Sequence, residues 1–240
     1  MKLYDKLKNF HNMDVDEFND TNLMNKFKDI AMTILYDGYI QVRNDYRIYI
    51  KTVEFYIHPE EDSPIRNTID PDPIVYHRDY RKGMFPCRKL PYFPLMTLHA
   101  HVSGLDITFE NENLKYRASA LIRAYAIYDM STKSFIETKK KYKEGEAPYD
   151  DRSTYLYDFI NGFSLIEGNK NNIVWIDKAT DVPHNAIKIS SRKNVYEYRY
   201  EYRGEREEEI MENLKVDDKK VKDKRQWSFT RTNDVGVNPQ

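Results

Sequence analysis

The sequence predicts a single α+β domain, a curved and mainly antiparallel sheet flanked by helices. Strand-like runs arrive consecutively in hairpins rather than alternating with helices. One strongly periodic helical stretch precedes them, and 20 Tyr, 11 Phe and 2 Trp in 240 residues supply an aromatic core. At a prior of one domain per ~150 residues, a single domain with insertions over 1–240 is expected rather than two. A chain of this size hides about 70% of its unfolded surface and needs no disulfide or metal to fold.

Leu23, Met24, Phe27, Ile30, Ala31, Ile34 and Leu35 recur at steps of three and four, with Thr21 as the cap and Gly38 as the stop. Next, Tyr39 to Val42 and Tyr46 to Ile57 flank the turn-prone pair Asn44-Asp45 and read as a hairpin. Strict alternation along the second strand puts Ile48, Ile50, Thr52, Glu54 and Tyr56 on one face. Seven prolines between 59 and 94 forbid long regular elements there and mark a looping excursion. Two more strands follow, Thr97 to Phe109 and Tyr116 to Tyr128, joined by a polar turn over Glu110 to Lys115. In the second, Ala118, Ala120, Ala124 and Ala126 form a small face suited to lie under a helix, opposite Leu121, Arg123, Tyr125 and Ile127.

Lys139, Lys140, Lys141 and Lys143 read as a solvated basic run in a loop, and Tyr155 to Ile166 as a helix burying Leu156, Phe159, Ile160 and Phe163. Val195 to Arg203 alternates Tyr196, Tyr198, Tyr200 and Tyr202 with charged residues, a strand whose tyrosine ladder packs on the sheet. A stacking platform for bases is the rival reading of that face. An acidic block then a basic one fill Gly204 to Arg225, as a surface helix or hairpin would.

Composition excludes several classes. With 38 basic and 39 acidic side chains the net charge is -1, so no chain-wide field draws the protein to polyanions, and any nucleic acid must be held by a local patch. The single Cys87 rules out an internal disulfide and a multi-cysteine zinc site and fits a reducing, cytoplasmic setting. No signal peptide or membrane span is expected from Met1 onward. Eight glycines form no Walker loop and no dinucleotide-binding pattern.

Three separated pieces can carry chemistry: Val53-Glu54-Phe55-Tyr56 on a strand, Asp72-Pro73-Ile74-Val75-Tyr76-His77 in the excursion, and Leu121-Ile122-Arg123-Ala124 on a later strand. On spacing alone Glu54 reads as a strand residue salt-bridged to Arg123. Together with Gly83-Met84-Phe85 and Leu98-His99-Ala100-His101 between them, however, the pieces resemble the 3-methyladenine (alkylpurine) DNA glycosylase family. Asp29 to Leu35 looks like its opening helix, Leu156 to Gly168 like a later helix and turn, and Gln226-Trp227-Ser228-Phe229 like its closing strand. The likeness covers most of residues 22 to 235, with a charged, Tyr-rich insertion at about 196–225.

That resemblance implies a monofunctional glycosylase that hydrolyses the N-glycosidic bond of an alkylated or deaminated purine turned out of DNA, leaving an abasic site. It makes Glu54 the base that activates water, and Arg123 the group that orders it. Tyr56, His77 and His101 would wall the base pocket, His101 standing where the family has tyrosine. Arg78, Arg81, Lys82, Arg88 and Lys89 form the expected phosphate-contacting patch. Ser103 stands where the family drives an aromatic wedge into the duplex, so either Leu105 or Tyr92-Phe93 replaces it or duplex DNA is not the substrate. Glu110 is the nearest counterpart of the family's pocket asparagine. No cofactor or metal is required, DNA is the partner, and a monomer is expected. Two rivals stand beside this: a member of the fold that binds nucleic acid or a partner without catalysis, and a metal enzyme using His99 and His101 with His77 and Glu54.

Overall fold

The computed structural model describes residues 2–70, 72, 91–101, 104–136, 165, 173–178, 187–192 and 225–232. Over these residues it is an α+β domain in which two α-helices precede a nine-stranded, antiparallel sheet. Helix α1 (Lys2–His11) buries Leu3, Leu7 and Phe10, one apolar stripe among charged residues. The sequence reading missed it, because the alternation of charge with Leu and Tyr hides so narrow a stripe. A short 3-10 turn (Val15–Glu17) leads to α2 (Asp20–Tyr36).

The cap of α2 is Asn19, not Thr21: the Asn22 N–H donates to Asn19 Oδ1 at 2.9 Å, and Thr21 falls inside the first turn. At the other end the Asp37 N–H closes the helix on the Thr33 carbonyl. Gly38 therefore does not stop α2 but opens strand β1 (Gly38–Val42), where a Cβ would overlap the Trp175 ring and the Ile176 carbonyl oxygen. Close approach of a neighbouring strand, not backbone freedom, explains this glycine.

A three-residue turn with Arg43 at φ 54° reverses the chain into β2 (Tyr46–Pro59), as the Asn44-Asp45 pair suggested. β3 (Thr97–His101) and β4 (Gly104–Thr108) follow, then β5 (Tyr116–Asp129), β6 (Ser134–Phe135), β7 (Ile173–Asp177), β8 (Ile187–Ser190) and β9 (Ser228–Arg231). The strand expected over Thr97 to Phe109 is thus a hairpin, in which His101 pairs with Gly104 and the glycine takes φ 144°. The main order is β3-β4-β5-β2-β1-β7, with β6 on β5 and β9 between β2 and β8.

β2 and β5 form the spine, and their register breaks twice. Ile50 faces Tyr125, Thr52 faces Ala124 and Val53 faces Ile122, so Lys51 on one strand and Arg123 on the other have no opposite residue. Each is the extra residue of a bulge, and the side-chain alternation inverts across it. The core consequently takes Ile48 and Ile50 before the break but Val53, Phe55 and Ile57 after it. Glu54 and Tyr56 accordingly lie on the face opposite Ile48 and Ile50, not beside them. The same break corrects β5, where Ala118, Ala120 and Ile122 join the core and are continued by Tyr125 and Ile127, not by Ala124 and Ala126.

Helices α1 and α2 cover the core face. Phe27 of α2 stacks on Phe55 at 4.7 Å and meets Trp227 edge-on at 5.0 Å, while Phe10 of α1 stacks on Phe27 at 5.5 Å. The opposite face carries a small aromatic cluster of Tyr39, Tyr49 and Tyr128, then the polar residues described below. Residues 195–203, 137–150 and most of 204–225 lie outside the described residues, as does the helix expected over 155–166 except Leu165. Leu165 is not helical; its N–H donates to the Met96 carbonyl and its own carbonyl accepts from the Trp175 N–H. Among the described residues no helix is long and apolar enough to cross a membrane.

Gly38→Ala presses a methyl group on a ladder carbonyl and on a buried indole, neither of which can retreat. A loss of about 1–3 kcal/mol is expected, read as a lower urea midpoint with unchanged slope.

Candidate active site

The face away from the helices gathers buried polar groups, which a sheet tolerates only when they satisfy one another. At its centre is Glu54, 0% exposed. Arg123 Nε donates to Glu54 Oε2 at 2.5 Å and the Tyr56 hydroxyl donates to the same oxygen at 2.8 Å. Arg123 Nη2 in turn donates to the Tyr56 oxygen at 3.2 Å, closing a triangle of carboxylate, phenol and guanidinium. The bulge makes this possible, because it releases Arg123 from the ladder alignment on the strand next to Glu54.

The electrostatics follow from burial. Desolvation raises the Tyr56 phenol well above its ordinary value of 10.0, and the neighbouring Glu54 charge adds to the rise, so the hydroxyl remains a donor. Burial works against the charge of Arg123 but is outweighed by Tyr56 and Glu54, and the guanidinium is held above its usual range. Its side chain keeps 21% of its surface in solvent against 1% for Glu54, so the pair spans from the outside to a dry interior.

Register extends the site sideways. Leu121 lies opposite both Glu54 and Asp106, and Asp106 lies opposite His99, so these four form one row across β2, β5, β4 and β3. Asp106 is buried and accepts from Ser119 Oγ at 3.0 Å. His99 packs its ring against Phe93 at 4.5 Å. Two rows over, past the row of Tyr56 and Ser119, Arg117 lies wholly buried between Glu60 (2.8 Å) and Glu110 (2.9 Å), with the Tyr92 ring 3.8 Å from its guanidinium.

These placements sort the residues singled out from sequence. Glu54, Tyr56 and Arg123 come together in direct contact. Tyr56 presents its ring to Arg192, whose guanidinium lies 4.7 Å from the centroid, so one face of this expected pocket wall is already covered. Leu105 is 0% exposed in the hydrophobic core opposite Ile122, and a core side chain there is not the wedge. Glu110 is engaged by Arg117 and by the Phe93 N–H at 2.7 Å, which ties it to the excursion's return. His77, Arg78, Arg81, Lys82, Arg88, Lys89 and Ser103 lie outside the described residues, and so does the side chain of His101. Among the described residues no three His, Cys, Asp or Glu side chains group as metal ligands would.

Sequence reasoning missed Asp106, Ser119 and Arg192. Asp106 could have been found by carrying the β3–β4 hairpin through to β5, which sets it beside Leu121; nothing local marks Arg192. A cavity of about 360 Å³ opens elsewhere, between Asp20, Thr21, Met24 and Asn25 of α2 and residues Arg225, Gln226 and Trp227. Compared with family models, curated proteins and solved structures, the chain matches none.

The raised phenol sets an alkaline limit. Because folding favours protonated Tyr56, its contribution to stability is complete below the unfolded value near 10.0 and is lost as pH rises from there toward the folded value. Urea midpoints are expected to hold up to about pH 10 and then fall. Tyr56→Phe should be less stable by about 1.5–3 kcal/mol at neutral pH, the worth of a hydrogen bond to a charged group, with a shallower alkaline decline.

Proposed function

We propose that this chain is a monofunctional DNA glycosylase, hydrolysing the N-glycosidic bond of an alkylated or deaminated purine turned out of DNA. The observation that carries the reading is a fully buried carboxylate, Glu54, held by Arg123 and Tyr56 on the sheet face away from the helices. Rupture of the bond gives the deoxyribose oxocarbenium character, and an anion in a dry site stabilises that charge more strongly than one in water. The same carboxylate orients a water molecule and takes its proton as the oxygen bonds to the sugar carbon. The bond electrons leave with the base, which departs readily when alkylation has made it cationic. No protein nucleophile enters, so the product is an abasic site with an intact strand.

Arg123 has two tasks in this scheme. Its charge compensates Glu54 in the resting protein, and its two-nitrogen grip fixes the carboxylate and the Tyr56 hydroxyl in one plane of contacts. The base would sit along the row from Glu54 over Leu121 toward Asp106 and His99, where the Phe93 ring closes the end. In this reading His77 and His101 are further pocket walls, and the basic residues between Arg78 and Lys89 hold phosphates.

The test is incubation with DNA containing 3-methyladenine, 7-methylguanine or hypoxanthine, followed by chromatography of freed bases. Release by the parent chain is expected, with a fall of about 10²–10⁴-fold in Glu54→Gln, the usual contribution of a general base. A melting curve must accompany that variant, since breaking a buried pair costs about 3–5 kcal/mol. The rival reading, a nucleic-acid binder in which Glu54 and Arg123 are purely structural, gives the opposite pattern: DNA binding that survives Glu54→Gln and no base release from either protein.

A further inference from the structure

We propose that Arg192 is a positioning residue that sets Glu54 through the ring of Tyr56; the proposal rests on the reading of Glu54 as the water-activating base. Arg192 follows β8 and is 3% exposed. Its guanidinium lies 4.7 Å from the Tyr56 ring centroid and 5.1 Å from that of Trp227. Nη1 donates to the Phe55 carbonyl at 3.1 Å and to Asp72 Oδ2. Asp72 is itself unexposed, its N–H donating to the Ile57 carbonyl at 3.2 Å and its own carbonyl oxygen 2.7 Å from His58 Nδ1. The guanidinium is therefore mounted on the stretch of β2 from Phe55 to His58, around the ring it covers.

Tyr56 can transmit this because its two ends are held by different groups. Its hydroxyl donates to Glu54 and accepts from Arg123, while Arg192 takes a face of its ring. A strand fixes the Cα–Cβ direction but leaves two side-chain torsions, and the guanidinium packed on the ring removes the freedom they retain. A cation attracts a ring face most strongly when both are desolvated, as Arg192 and Tyr56 are, and so favours one ring setting. A guanidinium that served only to neutralise Asp72 would have no need of the Tyr56 face. The charge also favours ionisation of the phenol and so makes it a stronger donor to Glu54, opposing the rise that burial imposes.

The experiment uses the full chain labelled with 3-fluorotyrosine, the Tyr56 resonance being identified by its loss in Tyr56→Phe. Arg192→Met fills similar space without the cation. It is expected to shift and broaden that resonance and to slow single-turnover base release on the order of 10²-fold, the cost of misplacing a reacting group by about 1 Å. DNA affinity should stay at the parent value. Arg192→Lys keeps the charge without the planar face, and should move the resonance less and recover part of the rate. A folded Arg192→Met chain with a parent-like Tyr56 resonance overturns the proposal whatever its activity. If Arg192→Met does not fold, Arg192→Lys decides alone, and an unmoved resonance overturns it likewise. Absence of base release by the parent chain would sink the glycosylase reading, while the resonance would still judge Arg192.

Discussion

Burying the carboxylate of Glu54 is the constraint around which the outer face of this sheet is arranged. An ionised group removed from water loses several kcal/mol even after relaxation, and it survives only where donors replace the lost hydration. Two donors converge on one oxygen, Arg123 Nε and the Tyr56 hydroxyl, and these are bound to each other. Losing Arg123 strands the Glu54 charge, and losing the Tyr56 hydroxyl takes away one of its donors. Such an arrangement is a poor way to stabilise a fold, since an apolar cluster would do as well. It is a good way to hold an anion dry and oriented, which is what stabilisation of a developing cation requires.

The two bulges on β2 and β5 make that arrangement reachable. With unbroken pairing, Glu54 would share a face with Ile48 and Ile50, and the carboxylate would be driven into the helix-covered core. Inserting Lys51 and Arg123 inverts the alternation, so the core continues through Val53 and Phe55 while Glu54 and Tyr56 turn outward. The extra residue on β5 is the arginine that the carboxylate needs. Because the insertions are compensating, the Ile50–Tyr125 and Val53–Ile122 pairs keep the same offset, and the long spine is not interrupted. A local defect thus changes which face is polar without costing the sheet its continuity.

Periodicity made legible whatever depends on short-range pattern. α2, the β1–β2 hairpin and the polar turn before β5 are all visible as steps of three and four, as turn residues, or as alternation. The partnership of Glu54 and Arg123 was legible too, as two residues on strands that the fold class would place side by side. Counting by twos cannot register a bulge, so the face of Glu54 was assigned through Ile48 and came out inverted. The β3–β4 turn escaped because apolar residues continue on both sides of Gly104, and Leu105 was taken for a surface wedge when it fills the core. Arg192 lies 137 residues from the Phe55 carbonyl it binds, a separation at which only the folded chain reveals the contact.

The proline-rich excursion is tied to this face by one arginine that holds both of its ends and a second that holds Asp72. Arg117, beside Ser119 and Leu121 on the outer side of β5, bonds Glu60 where the chain leaves the sheet. The same guanidinium bonds the Pro91 carbonyl and Glu110, and Glu110 takes the Phe93 N–H where the chain returns. Closing a loop of this length costs entropy that grows only slowly with its size, so one well-satisfied cation suffices to hold both ends. Burial opposes the charge of Arg117, yet Glu110 and Glu60 more than restore it, and the guanidinium stays protonated across the working range. Asp72, twelve residues beyond Glu60, is pinned by Arg192 beside Tyr56. The excursion is therefore anchored at its departure, at Asp72 and at its return, each time to the polar side of β2 or β5. That anchoring fixes the two ends of the segment carrying His77 and the basic cluster to the face on which Glu54 is held.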